Sequence, residues 1–157
     1  MSIPFTLDGQ PLQALDGETI LKAAQRHGVD IPHLCFKDGY RPDGNCRACV
    51  AWDRRSLVQG QSCCRSVTPG MEVQASSPRA RKSQQMVVEM LLSDMPDQGY
   101  KWIGDDANQP HGELSEWAAQ MDVQVRPELR ALRRVQPVAD VSHPAMAVNL
   151  DACIQCN

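Results

Sequence analysis

The sequence predicts an α+β domain built around a cysteine-rich loop, and three observations carry that expectation. Two short β-prone runs face each other across Asp8-Gly9, and a helical pattern opens at Asp16–Thr19. Further short β-prone runs then follow a stretch that holds four thiols in the spacing C-x10-C-x2-C-x13-C. Strands, then a helix, then more strands, lead to a helix packed across a mixed sheet.

Taken in order, residues 3–7 (IPFTL) suit a strand, Asp8-Gly9 a hairpin turn, and residues 11–15 (PLQAL) the returning strand. Asp16-Gly17-Glu18-Thr19 supplies a helix cap, Ile20, Leu21 and Ala24 an apolar helical face, and Gly28 a stop. After Cys49, VAWD (50–53) is β-prone, SLVQGQ (56–61) is placed to pair with it, and MEVQA (71–75) reads as a last strand. This is the order of a β-grasp ferredoxin domain, bounded at residues 1–77. Ser77-Pro78 then caps a second helix that ends before Pro96, a packing helix over 78–95. On it Val87, Met90, Leu91 and Asp94 share one side, flanked by Val88 and Leu92.

The four thiols Cys35, Cys46, Cys49 and Cys63 match the needs of a 2Fe–2S cluster, in which two irons take four thiolates. The two residues between Cys46 and Cys49 let that pair turn around one end of the cluster. Gly39 and Gly44 let the backbone approach the sulfides and aim its amides at them. Zinc is the main rival, giving a zinc-stabilised interaction domain, but zinc sites use two close pairs, whereas here the first and last thiols stand alone. Disulfides fit poorly, because MSIPFTLDGQ has neither the basic head nor the apolar core of a secretory signal. A Rieske centre would need a second histidine beside His33. Spacing leaves Cys63 and Cys64 both open as the fourth position.

The 157 residues allow one ordinary domain with an appendage. A net charge of −3 argues against a broad nucleic-acid surface, and no apolar run approaches the roughly 20 residues of a membrane span. The expectation is a soluble, cytoplasmic protein with no nucleic-acid partner and no membrane insertion. There is no nucleophile–base pair, phosphate loop or nucleotide fingerprint, so no catalytic residue is assigned. Residues 96–141 read as a solvated linker with one short helix in GELSEWAAQM. Trp102 and Trp117 would dock it, and four arginines lie in RPELRALRR (126–134). In the tail, SHPAMAVNLDACIQCN, His143 reads as a loop residue, AVNL as a strand, and Cys153 and Cys156 as half of a metal site.

At GETILKAAQRHGVDIPHLC, DGNCRACV and SCCRSVTPGMEV the chain resembles the N-terminal part of the alpha subunit of NAD-dependent, molybdenum-containing formate dehydrogenases. That part is similar in turn to the 75-kDa (G) subunit of complex I and to the diaphorase small subunit of NAD-reducing hydrogenases. The resemblance implies that the fourth ligand lies seven residues before the glycine of a Gly-Met pair, here Gly70, which selects Cys63. It also implies that residues 142–157 begin a 4Fe–4S module, with Cys153 and Cys156 an incomplete 4Fe–4S site. That cluster would form only in a longer parent chain, of which this is a fragment.

Complex I relatives carry another 4Fe–4S site, of one histidine and three cysteines, after the stretch matching LLSD. Residues 95–120 here hold His111 and no cysteine, a departure that points to formate dehydrogenase. The implied role is electron transfer between a molybdenum site elsewhere in the parent subunit and partner subunits carrying flavin, NAD and Fe–S clusters. The alternative is an electron-transfer fragment of complex I or of a hydrogenase diaphorase.

Overall fold

The computed structural model describes residues 2–56, 58–95, 112–135, 138–148, 150 and 153–154. The described residues fall into two compact units, within 2–87 and 88–154.

The first unit is a five-stranded mixed sheet in the order β2-β1-β5-β3-β4. Strands β1 (Ser2–Leu7) and β2 (Gln10–Leu15) form the expected hairpin, with Phe5 opposite Leu12. Its turn places Asp8 and Gly9 at φ +49° and +84°, the left-handed pair that suits the twist of a two-residue hairpin. β3 (Val50–Asp53) and β4 (Val58–Gln61) pair antiparallel, Val50 facing Gln61. β5 (Glu72–Gln74) enters between β1 and β3, parallel to the first and antiparallel to the second. The Asp8 carboxylate locks it there, accepting from the amides of Ala75 at 2.9 Å and Ser76 at 3.1 Å.

Helix α1 (Ile20–Arg26) covers this sheet and buries Ile20, Leu21, Ala23 and Ala24. Thr19 is its cap, its hydroxyl accepting from the Lys22 amide at 3.3 Å. Two amides at the start of the helix leave its axis for the cysteine loop: Leu21 donates to the Ser62 carbonyl and Ile20 to the Arg65 carbonyl, both at 2.9 Å. The core gathers Phe5, Leu7, Leu21, Ile31 and Val73 together with Cys49 and Cys63. A pair of thiols therefore belongs to the interior of the domain.

Glu18 ties the helix to the hairpin. Its carboxylate accepts from Arg26 Nε at 3.0 Å, from Arg26 Nη2 at 2.9 Å and from the Leu15 amide at 2.7 Å. The Arg26 hydrogen bonds hold the carboxyl below its ordinary value, against the opposing effect of burial. A carboxyl depressed on folding stabilises the native state above its unfolded pKa, about 4.3, and that contribution disappears as pH falls through the folded value. The stability difference between wild type and Glu18→Gln is therefore expected to be largest near neutrality and to shrink below about pH 4. Denaturation midpoints across that range check it, and a pH-independent difference would rule the linkage out.

Helix α2 (Pro78–Ser93) starts as expected, with the Ser77 hydroxyl accepting from the Ala80 amide at 3.3 Å. The buried stripe differs from the predicted one. Met90 is 60% exposed, while Ala80, Gln84 and Val88, at four-residue steps, are buried. Gln84 is tolerated because its amide donates to the carbonyls of Val50 at 2.9 Å and Ala75 at 3.0 Å. In the first unit Arg79 also stacks over Trp52, 4.1 Å from the ring centroid.

In the second unit, α3 (Glu113–Gln120) occupies the predicted short helix, with Trp117 half-buried. Trp102 and His111 lie outside the described residues. The arginine-rich stretch around α4 (Pro127–Arg130) is exposed to half-buried and makes specific contacts with the end of α2. Arg126 grips Glu89 with Nε at 2.8 Å and Nη2 at 3.1 Å. Arg130 Nη1 donates to the carbonyls of Ser93 at 2.9 Å and Met95 at 2.7 Å, and the Arg134 amide donates to Asp94 at 3.1 Å. The last carbonyls of a helix lack internal partners, and Arg130 satisfies that of Ser93, while Arg126 and Arg134 hold the acids Glu89 and Asp94. Beyond them, β6 (Asp140–His143) and β7 (Met146–Val148) form an exposed hairpin. His143 ends β6 rather than lying in a loop, and its Nδ1 accepts from the Ala145 amide at 3.1 Å. The expected AVNL strand ends at Val148.

Candidate metal centre

The cysteine loop leaves α1 through Ile31 and returns at β3. His33 is a structural element of it, with Nδ1 2.7 Å from the Ile31 carbonyl and its ring edge-on to Phe36. The loop then brings the thiols together in two pairs. The Cys46 amide donates to Cys35 Sγ at 3.5 Å, and Cys49 and Cys63 lie together in the buried core. Cys46 thus stands with Cys35, and Cys49 with Cys63 in the core. Between Cys46 and Cys49, Arg47 has left-handed backbone, with φ +60°. With its oxygen turned to Arg47, the Gln61 carboxamide of β4 accepts from Nε at 3.0 Å and Nη2 at 3.1 Å, holding that residue in place. Nothing in the sequence pattern marked Arg47, because left-handed backbone at a non-glycine residue leaves no compositional trace.

Burial differs sharply across the site. Cys63 is 0% and Cys49 1% exposed, Cys46 is buried and Cys35 half-buried, whereas Cys64 faces solvent. Cys64 Sγ lies 3.5 Å from Cys63 Sγ and points towards the Pro42 carbonyl at 3.8 Å. It also closes over Gly44, whose φ is +68° and where an added Cβ would stand 2.8 Å from that sulfur. Gly44 is therefore required by both backbone conformation and space.

The electrostatics of the inner pair are uneven. The Cys63 thiol beside it lowers the Cys49 thiol to about 6, against burial, with the Ser62 amide adding to the effect. The same contact, with burial, pushes Cys63 up. Burial raises Cys46. Behind the site, Arg65 Nη2 reaches the buried Asp53 carboxylate of β3 at 2.9 Å and fixes the turn that carries Cys63 and Cys64.

Two thiols on each side suit two irons, each taking two protein sulfurs and two bridging sulfides. Among the described residues no three His, Cys, Asp or Glu side chains converge on a single ion. In the second unit, Cys153 is half-buried and lines a cavity of about 170 Å³ with Leu91, Asp94, Met95, Arg134 and Ile154. Arg134 Nη2 donates to the Cys153 carbonyl at 2.7 Å. Cys156 lies outside the described residues.

Fold and thiol loop together define a ferredoxin-like electron-carrier domain. Residues 1–78 match the family model of the 2Fe-2S iron-sulfur cluster binding domain, and this segment of the chain is such a domain. Similar curated proteins include the G subunit of NADH-quinone oxidoreductase from Rickettsia bellii, 33% identical over 94 residues. The mitochondrial NADH dehydrogenase [ubiquinone] iron-sulfur protein 1 of Solanum tuberosum is 36% identical over 94 residues. Each alignment covers 60% of this chain but only 14% and 13% of the relative, so the chain spans a small part of their length. A crystal structure of NAD+-reducing [NiFe]-hydrogenase in the H2-reduced state superposes with a TM-score of 0.79 at 26% identity. That match covers 99% of this chain and 63% of the hydrogenase chain. No helix among the described residues is long and apolar enough to cross a membrane.

Proposed function

We propose that the chain carries single electrons within a multi-subunit, NAD-linked oxidoreductase, with Cys35, Cys46, Cys49 and Cys63 as the ligands of its 2Fe–2S cluster. The observation that carries this reading is the two-plus-two arrangement of thiols on a β-grasp sheet. The bound cluster supplies a one-electron couple, and plant-type clusters lie near about −400 mV, within reach of nicotinamide chemistry. The chain's own part is to bury the inner pair, to donate the Cys46 amide to Cys35 sulfur and to keep the outer loop close to solvent, where a partner can approach.

The chain reconstituted anaerobically should hold about two irons and two sulfides and give a spin-half EPR signal on reduction. One zinc per chain and no visible absorption would reject this function.

The finer reading is the electron-transfer part of a cytoplasmic formate dehydrogenase alpha subunit, working between molybdenum and flavin/NAD subunits. Its support is the absence of cysteine between Met95 and Gln120 and the tail pair Cys153 and Cys156, which would start a 4Fe–4S site in a longer chain. The names of the relatives favour a second reading, a complex I or hydrogenase subunit. Affinity purification of the native complex through this subunit separates them. Molybdenum and formate-dependent NAD+ reduction support the first; NADH–quinone or hydrogen–NAD+ activity supports the second.

A further inference from the structure

The hydroxyl of Ser62 is an anomaly beside the site. Ser62 is 0% exposed, and its Oγ has no hydrogen-bond partner of ordinary geometry among the described residues. A buried hydroxyl left unmatched is costly, so its presence in the buried core calls for a reason. Its backbone is clamped on both sides: the amide donates to the Cys49 carbonyl at 3.1 Å and the carbonyl accepts from the Leu21 amide at 2.9 Å.

Strand register shows where it points. Val50 of β3 faces Gln61 of β4, and the Ser62–Cys49 backbone bond extends that pairing by one residue. Directly opposed residues of an antiparallel pair project from the same face of the sheet. Ser62 Oγ and Cys49 Sγ consequently share a face, with Cys63 next in the chain.

We propose that Ser62 is a positioning residue for the electron-transfer site, its hydroxyl donating a hydrogen bond to the Cys49 thiolate when that sulfur is a ligand. The inference rests on the 2Fe–2S reading above. A hydrogen bond to a ligand sulfur disperses negative charge, and the reduced state carries one more electron, so the bond favours reduction. Ser62 thereby raises the potential of the site, using a hydroxyl that has no other partner among the described residues.

EPR-monitored redox titration of the reconstituted chain tests this. Ser62→Ala should lower the ratio of reduced to oxidised protein about tenfold at a fixed potential, a midpoint lower by about 59 mV for a one-electron couple. Ser62→Thr, which keeps the hydroxyl, should titrate with the wild type. Ser62→Val, matched in shape to Thr, should follow Ala, and if Ser62→Ala fails to assemble, the Thr–Val difference gives the same answer. A wild-type midpoint in Ser62→Ala, or equal midpoints for Thr and Val, would overturn the assignment. A wild-type chain that takes up zinc and no iron would instead reject the underlying 2Fe–2S reading, before any variant is compared.

Discussion

Cys63→Ser is expected to strip the chain of its iron, whereas Cys64→Ser should keep the wild-type spectrum. The two thiols are neighbours with sulfurs 3.5 Å apart, yet they stand in different environments. Cys63 is fully buried beside Cys49, and its turn is held by the Leu21–Ser62 and Ile20–Arg65 backbone bonds and by the Arg65–Asp53 pair. Cys64 faces outward over Gly44 and Pro42. To replace Cys63 it would have to swing inward past the glycine it covers. Iron content should fall from about two per chain towards zero in the first variant and stay at about two in the second. The reverse pattern would transfer the ligand to Cys64, and a partial loss in both would show that the thiols exchange roles.

Gln84→Leu should destabilise the first unit by about 2–3 kcal/mol, the loss of two hydrogen bonds together with two buried carbonyls left short of a donor. Leucine nearly preserves the volume, so little of that cost comes from a cavity. The Gln84 amide is the polar link between α2 and the sheet, reaching β3 at Val50 and the end of β5 at Ala75. Urea titration should show a lower midpoint with an unchanged slope, because the surface exposed on unfolding is the same. A loss below about 0.5 kcal/mol would mean that water replaces the amide without penalty, within the range of an ordinary surface substitution.

By itself the sequence determined the elements of the first unit and the identity of its chemistry. The Asp8-Gly9 turn, the Thr19 and Ser77 caps and the apolar alternation of β1 are local signals, each settled by a few neighbouring residues. The thiol spacing likewise pointed to the 2Fe–2S class of domain, because the number of thiols a cluster needs follows from the metal's preference and not from the fold.

What the tertiary structure decided were relations between residues far apart in the chain. β5 slots between β1 and β3, Cys46 joins Cys35 and parts from Cys49, and Ser62 comes to face Cys49. Strand register and the left-handed backbone at Arg47 are set by the fold, and spacing encodes neither. The arginines at 126, 130 and 134 were legible as charge but not as caps, since the carbonyls and acids they satisfy lie at the far end of α2. A helix end creates its demand for donors only once the chain has folded back upon it.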